Sequence, residues 1–162
     1  MRIDALPREL LEILQQLMNL DALSGFALGG GTSLALRFGH RRSVDIDLFS
    51  AASFNTEAVL HTIRALFSQT EIHNRTEGSL CVGIFGVKVD ILHHAYDLLE
   101  APAALEDIRL LSLADIAAMK VNAVTNRGSK KDFSDLLLLH QNRISLLAAL
   151  EHFCSKYGDG GR

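Results

Sequence analysis

The sequence predicts an α+β fold, and three observations carry that reading. Strand-period segments separated by helical ones fill the chain before Pro102. A glycine triplet, Gly29-Gly30-Gly31, joins a short apolar strand to a helix. Beyond Pro102 the periodicity is helical and is opened twice by a serine with an aspartate three residues later.

The totals set the frame. A chain of 162 residues suits one domain, or a catalytic lobe with a helical appendage, and 48% apolar with 22% charged residues is the composition of a soluble globular protein. A net charge of −3 excludes a global basic field of the kind that advertises nucleic acid, while leaving room for a local basic patch. Cys81 and Cys154 are far apart and fit no metal spacing, so they read as a reduced pair. Met1 to Leu6 already contains Asp4, which argues against a secretory signal, and no apolar run approaches the roughly 20 residues of a membrane span. A cytoplasmic location is expected. Repeats are absent, and the polar stretch over 157–162 reads as a flexible tail.

In chain order, Pro7-Arg8-Glu9 opens a helix with Leu10, Leu11, Leu14, Leu17 and Met18 on one stripe. Phe26 to Leu28 is a buried strand that runs into the glycine turn, and Thr32 to Phe38 is the helix after it. A glycine-rich turn before a helix lets backbone approach a polyphosphate, and the helix N-terminus favours negative charge. His40, Arg41 and Arg42 follow on a loop, where they either grip phosphate oxygens or pair with nearby acids in solvent.

Val44, Ile46 and Leu48 then alternate with Asp45 and Asp47, the period of a strand with one apolar face. At about 3.3 Å per residue the two aspartate Cα atoms lie about 6.7 Å apart. Carboxylates held about 4 Å apart repel by roughly 4 kcal/mol at an effective dielectric of 20, so the pair calls for a cation or a shared proton. A hard divalent ion, Mg²⁺ or Mn²⁺, is the simplest remedy.

Glu57 to Ser68 reads as an amphipathic helix, and Ser79–Phe85 with Val87–Leu92 as a hairpin about Gly86. Asp90 shares the polar face of its strand with Lys88, and reads either as a further acid for the site or as a surface carboxylate paired with that lysine. Pro102 is expected to end the sheet. Ser112 and Asp115 form a capping box for a helix from Leu113 to about Asn126, and Ser129 with Asp132 a second for Lys130 to about His140. Leu136 to Leu139, apolar all round, implies a helix with little water on any side. Lys120 falls within an apolar stripe, so its ammonium needs an acidic partner or a phosphate unless it snorkels from the helix edge. Asp132 and Asp135 share a face. The last helix, Ser145 to about Lys156, reads as packing.

Two familiar glycine motifs fail: no Lys-Ser/Thr follows the glycines as a P-loop requires, and Leu34 stands where a dinucleotide fingerprint wants its last glycine. The order that remains, a glycine turn, a short helix and Asp-x-Asp on a strand, resembles the nucleotidyltransferase superfamily that includes DNA polymerase β. Gly30-Gly31-Thr32 through Arg41-Arg42-Ser43-Val44-Asp45-Ile46-Asp47 resembles its AbiEii/AbiGii toxin branch, and so does the run from Met119-Lys120 through Lys130-Lys131-Asp132-Phe133-Ser134-Asp135.

The resemblance implies a polymerase β-like core, a small mixed sheet flanked by helices, over residues 1–100. It implies a helical region over 101–156 that packs on the core and borders the nucleotide site. The implied activity is transfer of an NMP from an NTP to an acceptor hydroxyl on RNA, transfer RNA among them, or on protein, in some relatives as a toxin neutralised by an antitoxin. Asp45, Asp47 and Asp90 are the implied catalytic metal ligands. Lys120 would offset charge on the leaving pyrophosphate, and Gly30, Gly31, Thr32, Arg42, Ser43, Lys131 and Asp132 would line the nucleotide and phosphate site, with Asp132 either orienting Lys120 or acting on the acceptor. An antibiotic-modifying nucleotidyltransferase would use the same acids, whereas a silent binding module would have lost one. A hydrolase is disfavoured because no G-x-S-x-G elbow accompanies the histidines, and His93-His94 is read as incidental since adjacent strand residues point to opposite faces.

Overall fold

The computed structural model describes residues 2–142 and 144–158, and they fall into two compact units. The first runs to Ala95 and takes back Ala104–Leu110, whereas the second holds Tyr96–Ala103 and the chain from Leu111 onward. The division therefore differs from a single cut at residue 100.

In the first unit, helices α1 (Arg8–Met18), α2 (Gly30–Phe38) and α3 (Thr56–Leu66) accompany a sheet. Its strands are β1 (Ala27–Leu28), β2 (Asp45–Ser50), β3 (Thr70–Thr76), β4 (Ser79–Ile84), β5 (Val87–His93), β6 (Ala103–Leu105) and β7 (Ile108–Leu110). Among the described residues the order is β3-β4-β5-β2-β1-β7-β6. The sheet is mixed: β2 pairs β5 and β1 pairs β7 in parallel, while β1–β2, β3–β4 and β4–β5 are antiparallel.

Strand alternation gives the central strands one dry face. Ile46, Leu48, Leu80, Val82, Val89 and Ile91 are fully buried in a core that also takes Leu10, Leu14 and Leu17 of α1 and Leu60 and Ile63 of α3. Asp45, Asp47, Lys88 and Asp90 occupy the alternate positions, all of them partly or fully exposed. The stripe of α1 buries Ile13 where Leu11 was expected to carry it.

Three strands were not anticipated. The edge strand β3 is exposed along nearly its whole length and carries Glu71, His73 and Arg75, which suits an unpaired edge but has no apolar alternation to announce it. Strands β6 and β7 lie beyond Pro102, so that proline does not end the sheet. Each has three residues, too few to establish a period, yet Ile108 and Leu110 are buried. The Arg109 guanidinium donates to the carbonyls of Met18, Leu23 and Phe26 at 2.8 to 3.1 Å, and so fixes β7 against the chain ends that lead into β1.

The second unit holds α4 (Leu113–Asn126), α5 (Lys130–Gln141) and α6 (Leu146–Tyr157). Both expected capping boxes form: the Asp115 amide donates to Ser112 Oγ at 2.9 Å and the Asp132 amide to Ser129 Oγ at 3.3 Å. Leu136 to Leu139 is not enclosed on every side. Within the unit α5 packs on α4, so Leu139 is fully buried while Leu137 is 57% exposed.

Helix α6 is more than packing, because Lys156 buries its ammonium against Asp115 Oδ1 at 2.7 Å and donates to the Asp97 carbonyl at 2.7 Å. Of the expected tail, Tyr157 ends α6 and Gly158 caps it, and residues 159–162 lie outside the described residues. Among the described residues no helix is long and apolar enough to cross a membrane, and both cysteines are free thiols.

Candidate active site

The acid face is made by register. Val44 falls outside β2 and is 57% exposed, so the apolar side of that strand is Ile46 and Leu48, with Asp45 and Asp47 on the other. Parallel pairing sets Asp45 against Lys88 and Asp47 against Asp90, and antiparallel pairing sets Cys81 of β4 against Asp90. Asp47, Asp90 and Cys81 therefore form one row across three strands.

Lys88 Nζ bonds Asp90 Oδ2 at 2.5 Å, and that carboxylate raises the lysine's affinity for its proton. Cys81 is pushed up to about 11, first by burial and then by its hydrogen bond to Asp90 and that acid's charge, which favours the thiol over the thiolate. Its place on this face was invisible without the register. Lys88 was visible as a neighbour of Asp90, but not as a neighbour of Asp45.

The glycine turn abuts the same acids. The Gly29 amide donates to the Asp47 carbonyl at 2.9 Å, and Gly30 has φ +61°, with the place of a Cβ only 2.6 Å from Asp47 Oδ2. Both features require glycine there. Helix α2 thus starts two residues earlier than expected, at Gly30, with Gly29 at its cap and no hydrogen bond from a cap side chain.

The hydroxyl of Thr32 is committed elsewhere. It donates to the Asp45 carbonyl at 2.5 Å and shares a hydrogen bond of 2.7 Å with Ser43 Oγ, both residues being buried. These two side chains pin α2 to the start of β2, so this segment offers a phosphate its backbone amides, not its hydroxyls. Arg42 and Lys131 are exposed.

The donor chemistry of Asp45, Asp47 and Asp90 fits a hard divalent ion, since all are carboxylates on one face of two paired strands. Among the described residues, however, no three His, Cys, Asp or Glu side chains converge closely enough to hold an ion as they stand. Asp90 holds Lys88 instead. The two histidines after it are otherwise engaged: His93 Nε2 lies 3.2 Å from the Ala51 carbonyl, and the His94 ring meets Phe49 edge-on.

In the second unit the question of Lys120 is answered by acids. Its ammonium sits 3.0 Å from Asp132 Oδ1 and 2.8 Å from Asp135 Oδ2, with both carboxylates buried. It does not snorkel. Arg127 adds a bidentate pair to Asp132 at 2.9 and 3.1 Å, and Ser129 Oγ donates at 2.6 Å. The Arg127 guanidinium, followed by Ser129 and Lys120, outweighs burial and holds the Asp132 carboxyl well below the usual carboxylate range. Two cations face two carboxylates, and the charges balance.

Known proteins resemble this chain in sequence and in fold. Residues 12–81, which span the glycine turn, Asp45 and Asp47, match the family described as nucleotidyl transferase AbiEii toxin, type IV TA system. Over 155 residues the chain is 34% identical to an uncharacterized protein of Aquifex aeolicus (strain VF5), aq_aa25, covering 93% of this chain and 75% of that one. Its fold is similar to that of JHP933 from Helicobacter pylori, with a TM-score of 0.62 and 18% identity over 95% of this chain and 81% of the other. It is also similar to the antibiotic-resistance factor ANT(2'')-Ia, with a TM-score of 0.62 and 16% identity over 90% of this chain and 91% of the other.

Proposed function

The chain belongs to the AbiEii family of nucleotidyltransferases, and from that premise we propose that the shared face of β2 and β5 transfers an NMP from an NTP to an acceptor hydroxyl. One observation carries the reading: Asp45, Asp47 and Asp90 lie on one face of paired parallel strands, with Asp47 against the glycine start of α2. Mg²⁺, or Mn²⁺ in its place, bound to these carboxylates would screen the triphosphate and lower the pKa of the attacking hydroxyl.

The chain's own groups do the rest. The first-turn amides of Gly30, Gly31 and Thr32 donate to phosphate oxygens at the N-terminus of α2. Thr32 and Ser43 hold α2 and β2 at fixed separation, which keeps amides and carboxylates in one geometry. Arg42 offers a bidentate contact to a phosphate from the adjoining loop. Lys120, Lys131 and Asp132 are assigned to the site on family resemblance alone, and Asp132 and Asp135 already engage two of the three ammonium donors of Lys120.

RNA, including transfer RNA, or protein is the proposed acceptor, and the family's description supports a toxin with a cognate antitoxin. The test is incubation of the full chain with each labelled NTP, Mg²⁺ and total cellular RNA or protein. Label in one macromolecular pool, absent with Asp47→Asn, is the expected result, and no label in any pool overturns it.

A small-molecule acceptor is the second reading. It is supported by the fold likeness that spans nearly all of ANT(2'')-Ia, an antibiotic-resistance factor. Label moving to an aminoglycoside and not to RNA or protein would select it.

A further inference from the structure

We propose that Lys88 is an internal cation that competes with the divalent ion for Asp90, so that the third carboxylate joins the metal site only as the Lys88–Asp90 pair opens. The inference rests on the metal-dependent reading above and adds a residue which that reading does not use.

The register supplies the argument. Lys88 projects from the acid face between two carboxylates, Asp90 two residues along its own strand and Asp45 directly across on β2. On its other side the opposing residue is Gly83, which has no side chain to pair with it. Its ammonium contacts Asp90 at 2.5 Å, with the lysine side chain 50% exposed and that of Asp90 only 18%. The more solvated partner is thus the cation, and the carboxylate is the less exposed one.

Three carboxylates gathered on one face repel one another, and Lys88 relieves that repulsion before any ion arrives. The same contact explains why the three aspartates share a face and yet do not converge on a common point. A divalent ion held by Asp45 and Asp47 brings the greater charge, and Asp90 can turn to it once Lys88 lets go. Lys88 is therefore a positioning residue, acting through Asp90 on the affinity of the site.

The test is Mn²⁺ binding to the full chain, without nucleotide, followed by the electron paramagnetic resonance signal of the free ion. Lys88→Met should bind Mn²⁺ about fivefold more tightly than the unaltered chain, the scale set by loss of one partly exposed ion pair. Lys88→Arg should bind like the unaltered chain. In an Asp90→Asn background, Lys88→Met should bring no gain, because the acid through which it acts is gone.

Equal affinity of Lys88→Met and the unaltered chain overturns the inference while leaving the metal reading intact. So does an undiminished gain in the Asp90→Asn background, which would make Lys88 a general electrostatic influence. If neither chain binds Mn²⁺, the metal reading fails and the inference with it. Should Lys88→Met fold poorly by circular dichroism, Lys88→Gln makes the same comparison.

Discussion

Asp47 and Asp90 stand directly opposite each other on adjacent parallel strands, although forty-two positions of chain separate them in the numbering. Strands in such a pair run about 4.8 Å apart, so two like charges share one patch of surface. Proteins keep such an arrangement when a cation compensates it, and here Lys88 does so on the Asp90 side.

Asp47→Asn should remove transfer activity by roughly 10²–10³-fold, the cost of losing one preorganised electrostatic contact at a reacting phosphate. Because it also relieves repulsion on a partly exposed face, the melting temperature should hold or rise slightly. Labelled-NTP transfer and thermal unfolding on the same preparation read both, and an activity equal to that of the unaltered chain would reject the catalytic role.

Gly30→Ala should destabilise the fold by about 1–2 kcal/mol, since an L side chain is strained at φ +61°. Its Cβ would also meet Asp47 Oδ2 and push that carboxylate aside. A lower urea midpoint together with weaker NTP binding is the expected outcome, and an unchanged midpoint would refute the strained turn.

Lys120→Ala should cost about 3–5 kcal/mol, because Asp132 and Asp135 are buried and lose the ammonium they share. Urea unfolding measures that loss. NTP affinity of the folded fraction then separates the two roles: if affinity is unchanged, Lys120 belongs to the scaffold alone.

Acid should weaken the second unit through Asp132. Its folded pKa lies below the unfolded value of about 3.9, so its contribution is present above that value and is lost as pH falls through and below it. Arg127 is the largest cause of the depression, so Arg127→Ala should lower stability at neutral pH and flatten its fall between about pH 5 and pH 2. Melting temperatures across that range test the sign, and an equally steep fall in the variant would assign the acid sensitivity to another group.

By itself the sequence determined what is local. The two-residue period of β2 put Asp45 and Asp47 on one face, and Ser112 and Ser129 fixed the starts of α4 and α5 because a cap is a hydrogen bond across three residues. It also put Asp90 on the polar side of β5. Tertiary structure decided which strands are neighbours, and so that Asp90 and Cys81 share a row with Asp47, that β3, β6 and β7 join the sheet, and that Lys120 and Lys156 find buried acids. The physical reason is that strands pair through backbone amides and carbonyls, which are alike at nearly every position, and buried charges choose partners brought near by the fold. Neither choice leaves a mark within a few residues of the groups that make it.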